Sequence, residues 1–277
     1  EIVQGDWSSD VCSSDLINEE KFLEFRIMPY AEDQAMLVVR DVTRLRSLEK
    51  TRKHFVSNVS HELRTPLTVL KGYLEMTEEP PPPAMWAKAH KVMMEQTIRM
   101  DNLVNQLLTL SRIEAAPTVD LSHLVDMPAM LGLLEQEARA LSGERAHQIE
   151  FMVQPNLLVR GDQDQLRSAV SNLVYNAIHY TPAGRKITVE WRKQGAMALF
   201  VVQDQGEGIA PEHLARLTER FYRVDKARSR HTGGSGLGLA IVKHALSHHD
   251  AQLEIESRVG QGSRFSFLIP GRMVVVK

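Results

Sequence analysis

The chain has 277 residues, 43% of them hydrophobic and 25% charged, and 33 lysines and arginines against 35 aspartates and glutamates give a net charge of −2. These values suit a soluble globular protein of roughly two domains and argue against a disordered chain, a collagen-like repeat and a disulfide scaffold. The nearly balanced charge gives no reason to expect nucleic acid as a partner. No uncharged apolar run approaches the roughly 18 residues of a membrane helix, and no signal peptide stands at the start. Because the first residue is Glu rather than Met, we expect a fragment whose membrane parts are missing.

The N-terminal segment shows neither helical nor strand periodicity over residues 7–16, and we interpret 8–16 as a candidate sequencing artefact. Its run DVCSSDL, at 10–16, resembles an in-frame translation of a sequencing-adapter oligonucleotide, and a polar Ser/Asp turn is the alternative. Neither interpretation gives a function to Cys12, which as the single cysteine cannot form an internal disulfide.

Two short strands follow. Residues 22–30 alternate between two faces, 35–39 form a second apolar run, and 31–34 between them are predicted to be a hairpin turn. Two strands are too few to form a stable domain. We therefore interpret them as the end of a larger sheet domain.

From about Arg44 the apolar residues recur with helical spacing, and the prolines at 80–83 must end this first helix. A second helix is predicted over 84–114. Each helix carries one narrow apolar stripe: Leu45, Leu48, Phe55, Val56, Val59, Leu63, Leu67, Leu70 and Leu74 in the first, and Trp86, Ala89, Met93, Met100, Val104, Leu107 and Leu108 in the second. Two such helices cannot bury themselves as a pair, so we predict a four-helix bundle made by two chains.

Beyond a linker at 115–118 the pattern is mixed. Helices are predicted over 127–141, 164–179 and 238–249, and strands over 148–153, 157–160, 186–192 and 198–204, with a final hairpin of 252–257 and 263–269.

The first helix carries a candidate nucleophile, His61, on the side opposite the apolar stripe. A lone exposed histidine means little. Here Glu62 follows directly, Thr65 lies one turn on, and Pro66 removes a helical hydrogen bond after His61. A carboxylate can take the proton from one ring nitrogen while the other attacks, which makes a nucleophilic role possible.

Two glycine clusters form a second candidate site. Asp204, Gly206 and Gly208 follow a strand, and the run GGSGLGL at 233–239 opens a helix. Glycine lets the backbone approach a phosphate, and a helix N-terminus favours an anion. Neither cluster has the pattern of a P-loop or a Rossmann turn. The alternative to a phosphate-binding role is that these glycines are ordinary residues of loops and turns.

Asn172 and Asn176 are spaced i, i+4 and so share one face of a predicted helix. They can serve as hydrogen-bonding partners between helix and loop. Alternatively, one of them supplies an oxygen to Mg²⁺, which takes few protein ligands and fills its remaining positions with water and phosphate.

Five motifs in this order resemble those of the bacterial sensor histidine kinases: VSHELRTPL (59–67), NLVYNA (172–177), DQGEG (204–208), ERFYRVD (219–225) and GSGLGLAIVKH (234–244). The resemblance implies a multidomain α+β fold, in which a long helical hairpin that dimerises as a four-helix bundle precedes an α/β sandwich of the GHKL type. It implies three domains: the end of a PAS domain at 1–43, a dimerisation and phosphotransfer domain at 44–116, and an ATP-binding domain at 117–277.

The resemblance also implies roles for individual residues. His61 is the expected phospho-acceptor, Glu62 its proton acceptor and Thr65 a residue that positions water in a phosphatase reaction. Asn176 is expected to hold Mg²⁺, and Asp204 to accept from the adenine amino group of ATP. The other expected nucleotide-binding residues are Asn172, His179, Tyr180, Gly206, Gly208, Arg223, Lys226, Gly234, Ser235, Gly236, Leu237, Gly238 and Leu239.

There are two departures from the family pattern. His179 stands where many relatives have Lys, which weakens one phosphate contact or makes it pH-dependent, and Glu207 replaces a common Pro, so its carboxylate must turn outward.

The implied protein is the cytoplasmic portion of an inner-membrane kinase. It is expected to act as a homodimer and to phosphorylate the receiver domain of a response regulator, in phosphate-starvation signalling. Its only link to the membrane is through the missing upstream segments. Two alternatives stay open: a GHKL-type ATPase and a nucleotide-inert dimeric scaffold.

Overall fold

The computed structural model describes residues 21–31, 34–76, 82–115, 120–224 and 234–276. The chain divides into two units, Glu1–Arg64 and Thr65–Lys277. The suspected artefact at 8–16, the prolines at 80 and 81, most of the predicted linker and Lys226 lie outside the described residues.

In the first unit, β1 (Leu23–Ala31) and β2 (Gln34–Asp41) form the predicted antiparallel hairpin. The hairpin is joined tightly to the next helix, because the Thr43 N–H donates to the Asp41 carboxylate at 2.9 Å and the Phe22 N–H donates to the Thr43 hydroxyl at 2.8 Å. Ile27 and Leu37 nevertheless stay 60% and 57% exposed. An apolar face without cover agrees with the idea that these strands belong to a larger sheet, which stays a prediction.

Two helices of 33 residues each confirm the predicted long helical elements. Helix α1 covers Thr43–Glu75 and continues through Pro66, and α2 covers Pro83–Ala115. None of the helices within the described ranges is long and apolar enough to span a bilayer.

Helix α2 has two apolar faces, where the sequence predicted one. Val104 and Leu108, which belong to the predicted stripe, are exposed, whereas Leu103, Leu110 and Ile113 on a neighbouring face are buried. The buried face lies against a C-terminal helix, Gly238–His248.

The C-terminal part of the second unit is a layered α/β structure built on a five-stranded sheet in the order β4-β6-β7-β9-β8. These strands are β4 (Gln148–Val153), β6 (Lys186–Gln194), β7 (Met197–Asp204), β8 (Glu254–Arg258) and β9 (Gly262–Ile269). Only the β4–β6 pair is parallel. The apolar side of the sheet includes Trp191 and the stacked Phe200 and Phe267, whose ring centres are 5.0 Å apart.

The helices of this part are α3 (Met127–Ser142), α4 (Gln163–Tyr180), the short α5 (Pro211–Leu214) and α6 (Gly238–His248). Helix α4 packs on β6, β7 and α6, and α6 packs in turn on α2. The predicted combination of a helical hairpin and a mixed α/β domain is therefore confirmed.

A second, three-stranded sheet was not predicted. It orders β10 (Val274–Val276), β5 (Leu157–Arg160) and β3 (Leu124–Val125), all antiparallel. Strands of two or three residues are too short to show an alternation, so only the longer β5 was visible in the sequence.

A buried histidine fixes the start of α4 against the end of α6. The His249 Nδ1–H donates to the Ala245 carbonyl at 2.7 Å, and Nε2 accepts from the Asp162 N–H at 3.0 Å. Asp162 in turn caps α4, since its carboxylate accepts from the N–H groups of Asp164 and Gln165. Burial lowers the pKa of His249, because the protein disfavours its charged form.

We expect this histidine to make the fold acid-sensitive. Below a pH of about 6.5, His249 becomes protonated in the unfolded state but stays neutral in the folded state. The free energy of unfolding therefore falls as the pH falls. His249→Leu should cost about 1–3 kcal/mol at pH 7.5, because the Asp162 N–H loses its acceptor. The difference between wild type and variant should shrink toward pH 5 in denaturant titrations.

The exposed His90 provides the matched control. His90→Leu should leave both the stability and its pH dependence close to wild type. A His249→Leu variant with the same pH slope as wild type would show that this ring does not control acid stability.

Candidate functional site

The candidate nucleotide site lies where α4 ends, β7 ends and α6 begins. The i, i+4 spacing places Asn172 and Asn176 on one face of α4, and this face meets the start of α6. A Cβ added to Gly238 would lie 2.7 Å from the Asn172 Oδ1 atom, so a larger residue there would have to displace this side-chain amide.

The two asparagines have different surroundings. The Asn172 Nδ2 donates to the Ser168 carbonyl at 2.7 Å and its other amide atom faces Gly238, so this side chain joins two helices. Asn176 is half-buried, and its side chain makes no hydrogen bond to any residue that the structure describes. Its amide oxygen is therefore available to an outside group such as a cation.

Asp204, the last residue of β7, is only 5% exposed. Its Oδ1 atom accepts from the Gly206 N–H at 2.7 Å and the Ser263 N–H at 3.3 Å. Burial raises the pKa of Asp204, while these two hydrogen bonds oppose the rise. In the described part of the chain no group donates to Oδ2. A buried carboxylate with one unused oxygen suits an N–H donor from a ligand.

The glycines of the site allow its backbone segments to approach one another closely. Gly208 has φ +72°, and a Cβ there would lie 2.0 Å from the Arg258 carbonyl; Gly236 has φ +74°, with Phe221 backbone atoms 2.8 Å from its Cβ position. Gly206 is packed in the same way between Asp204 and the Tyr180 carbonyl. Gly234 is less crowded, since a Cβ there would lie 3.6 Å from the Tyr180 hydroxyl. The predicted glycines are thus brought together, and packing alone accounts for several of them.

His179 and Tyr180 close the C-terminal end of α4. The His179 Nδ1–H donates to the Tyr175 carbonyl at 2.7 Å, which leaves Nε2 as the ring nitrogen directed elsewhere. In neutral histidine that nitrogen carries a lone pair, which repels phosphate, whereas lysine at this position would carry a permanent charge. Tyr180 is exposed, as is Glu207 on the glycine turn.

The start of α6 forms the other wall. Leu237 is buried, Leu239 is half-buried, and the Ser235 hydroxyl accepts from the Leu237 N–H at 3.1 Å. Arg223 is half-buried, at the edge of the segment that includes Lys226.

The predicted phospho-acceptor group lies within α1. His61 is exposed, as predicted from its position opposite the stripe, Glu62 is half-buried and Thr65 is exposed.

Ser263 is a site residue that the sequence did not reveal. Its N–H holds the Asp204 carboxylate, and its hydroxyl is 3.0 Å from that of Ser257 across the β8–β9 hairpin. The glycines at 260 and 262 marked this hairpin, but its contact with Asp204 needed the fold. A cavity of about 290 Å³ adjoins the glycine turn, and its wall includes Gly206, Glu207, Arg185 and Gln261.

Two families match the chain, in the order expected. Residues 51–116 match the His Kinase A (phospho-acceptor) domain, and residues 161–273 match the histidine kinase-, DNA gyrase B- and HSP90-like ATPase.

Among curated proteins, the chain is 48% identical over 254 residues to the phosphate regulon sensor protein PhoR of Pseudomonas aeruginosa, covering 90% of this chain and 57% of that protein. It is 43% identical over 263 residues to PhoR of Haemophilus influenzae, covering 95% of this chain and 61% of that protein. The chain thus spans about three-fifths of the length of these relatives.

Among solved structures, full-length ShkA in complex with AMPPNP is 27% identical with a TM-score of 0.57, covering 81% of this chain and 46% of that one. The Acinetobacter baumannii histidine kinase AdeS has a TM-score of 0.59 over 76% of this chain and 97% of that one; at 24% identity it supports the fold alone. With a phospho-acceptor domain followed by an ATPase domain, and a sequence close to two phosphate regulon sensors, the chain belongs to the sensor histidine kinases.

Proposed function

We propose that this chain uses ATP to phosphorylate His61 and passes the phosphoryl group to an aspartate of a response regulator in phosphate-starvation signalling. The observation that carries the proposal is that one chain contains two features. His61 is exposed on a long helix, and the candidate site contains the buried Asp204 carboxylate, of which only Oδ1 accepts hydrogen bonds from the described residues. The two PhoR relatives support the signalling context.

The site fits ATP with Mg²⁺. The unused Oδ2 of Asp204 suits the adenine amino group, and the glycine turns allow phosphates to approach the start of α6. No cluster of three His, Cys, Asp or Glu side chains within the described ranges could hold a metal. Asn176 with phosphate and water ligands suits Mg²⁺, which supplies charge neutralisation when bound.

In the proposed reaction, a ring nitrogen of His61 attacks the γ-phosphorus, the new P–N bond forms, and the bond to the leaving ADP oxygen breaks. Glu62 accepts the proton from the other ring nitrogen, which increases the nucleophilicity of the ring. The role of Asp204 is to orient the adenine. His179, Tyr180 and Arg223, with Lys226 beyond the described residues, are proposed to contact the nucleotide, as are the residues of the glycine turns.

The proposed active form is a homodimer. A single chain leaves many large apolar side chains of α1 and α2 exposed: Leu45, Leu48, Val56, Leu67, Leu74, Trp86, Met94, Ile98, Val104 and Leu108. Burying these residues in a four-helix bundle stabilises the dimer through the hydrophobic effect. Kinases with this phospho-acceptor domain typically dimerise and signal to response regulators.

The proposed domain boundaries remain those of the sequence: 1–43, 44–116 and 117–277. The β1–β2 hairpin with its uncovered face supports the first of them as the end of a sheet domain. We further propose that the chain is the cytoplasmic part of an inner-membrane protein, as the partial coverage of the PhoR relatives suggests.

His61→Gln should abolish labelling of the purified chain by γ-³²P-ATP, while nucleotide binding persists. Gln keeps a polar side chain but has no nucleophilic ring nitrogen. The label on wild type should be lost in acid and stable in base, as expected for a phosphorylated histidine.

His90→Gln, on the exposed side of α2, is the control and should label like wild type. Label persisting on His61→Gln would remove the role of His61. Steady ATP hydrolysis without labelled protein would instead favour the GHKL-type ATPase, and absence of nucleotide binding in calorimetry would favour the inert scaffold.

Asp204→Asn should weaken ATP binding by more than about tenfold, because the amide N–H₂ would face the adenine amino group, donor against donor. The free protein should be at least as stable as wild type at pH 7. Because the pKa of Asp204 is raised in the folded protein, its ionised form destabilises the fold at any pH above the ordinary carboxyl pKa. The amide oxygen of the variant can still accept both backbone hydrogen bonds.

Calorimetry and thermal melts measure both effects. Asp164→Asn, an exposed carboxylate on α4, is the control and should bind ATP normally. Wild-type affinity in Asp204→Asn would contradict the adenine assignment.

Thr65→Arg should abolish dephosphorylation of the phosphorylated regulator while His61 still labels, because a long cation replaces the hydroxyl proposed to position water. Release of phosphate from the regulator is the measurement. Thr51→Arg, at an exposed position of α1, should retain this activity. Full dephosphorylation by Thr65→Arg would disprove the phosphatase role.

A further inference from the structure

Helix α2 makes polar contacts with the segments that form the nucleotide site. The Ser235 hydroxyl, in the turn before α6, donates to the Gln106 side-chain oxygen. About two turns further along α2, the Glu114 carboxylate pairs with Arg220 and lies 3.3 Å from the His244 Nε2. We call Gln106 and Glu114 the α2 clasp.

The α2 clasp stands on the buried face of α2. Leu103, Leu110 and Ile113 share this face and are 5%, 1% and 3% exposed. The apolar residues supply a non-directional attraction between α2 and α6, whereas the two polar residues fix which groups of the second surface they meet.

Both contacts of the α2 clasp lead to the same three residues, 235–237. Gln106 holds Ser235, whose hydroxyl accepts from the Leu237 N–H at 3.1 Å. Glu114 holds Arg220, and the next residue, Phe221, donates its N–H to the Gly236 carbonyl at 2.9 Å. The backbone of this turn is thus attached to α2 from two sides.

This attachment occupies one of the N–H groups at the start of α6. The first N–H groups of a helix have no partner within the helix and are the groups that bind anions. Here the Leu237 N–H already donates to the Ser235 hydroxyl, and that hydroxyl donates in turn to the Gln106 side chain. A phosphate that bound this Leu237 N–H would have to displace the serine hydroxyl.

We propose that the α2 clasp is an autoinhibitory contact: it holds the turn at 235–237 in a state of low nucleotide affinity, so that ATP binding and docking of the turn on α2 oppose each other. The inference rests on the proposed ATP binding and adds its regulation. Because the coupling is reciprocal, any movement of α2 that separates Gln106 from Ser235 raises nucleotide affinity.

The size of the effect follows from the exposure of the contacts. The side chains of Glu114, Arg220 and His244 are 31%, 27% and 34% exposed, so water screens their attraction. Couplings between sites typically change affinity by about 5- to 150-fold, and partly exposed contacts belong at the low end. We expect about three- to tenfold for each member of the clasp.

The test is calorimetric titration of the whole chain with Mg²⁺ and the non-hydrolysable analogue AMPPNP. Gln106→Ala and Glu114→Gln should each tighten binding by about three- to tenfold. Asn105→Ala removes a side-chain amide and Glu95→Gln neutralises a carboxylate at exposed positions of α2, and both variants should bind like wild type.

Hydrogen exchange of the same samples separates a clasp from a merely structural contact. In wild type, AMPPNP should increase the exchange of amides around 103–114, because the bound nucleotide undocks the turn. In the two clasp variants these amides should exchange faster before nucleotide is added, and AMPPNP should change them little.

The outcomes are distinguishable. Unchanged or weaker AMPPNP binding in both folded clasp variants, with wild-type protein binding normally, overturns the clasp and leaves the proposed function intact. Failure of every protein, wild type included, to bind AMPPNP overturns the proposed function as well. If Glu114→Gln lowers the thermal midpoint too far for calorimetry, the milder Gln106→Ala decides alone.

Discussion

The buried carboxylate of Asp204 is the interaction on which the candidate site depends. Its Oδ1 holds the Gly206 N–H and the Ser263 N–H, so one side chain ties the end of β7, the glycine turn and the start of β9 together. Leaving this carboxylate in a 5% exposed position is costly, and two backbone bonds repay only part of the cost. The unused Oδ2 is therefore the point at which a ligand donor gains most.

The close approach of backbone segments around this carboxylate explains the glycine pattern better than ligand contact alone. Gly208 lets the turn reach the Arg258 carbonyl, and Gly238 lets α6 begin against Asn172. A side chain at Gly208 would clash with the Arg258 backbone, whereas one at Gly238 would displace the Asn172 side chain. The glycines are thus required by the packing that forms the site, and only secondarily by what binds there.

The sequence predicted the long helices, most strands and the clustering of the motifs, because periodicity and turn residues are local properties. What it did not predict depends on contacts between distant residues. The Ser263–Asp204 bond joins residues 59 apart, the His249–Asp162 bond 87 apart, and the Gln106–Ser235 bond 129 apart. The strands β3 and β10 were missed for the opposite reason, since two or three residues show no period.

The sequence did not predict the second apolar face of α2, because a single apolar stripe is sufficient for a helix of a four-helix bundle. The structure shows that Leu103, Leu110 and Ile113 are buried while Val104 and Leu108 stay exposed. If the exposed face enters the proposed dimer, then α2 is in contact on both sides, with a second chain and with the helix that opens the nucleotide site. A rotation of α2 that improves packing on one face must disturb the other, because interiors are close-packed and tolerate few voids. The bundle and the nucleotide turn are then coupled through a single rigid helix, and the proposed clasp at Gln106 and Glu114 marks where that coupling reaches the site.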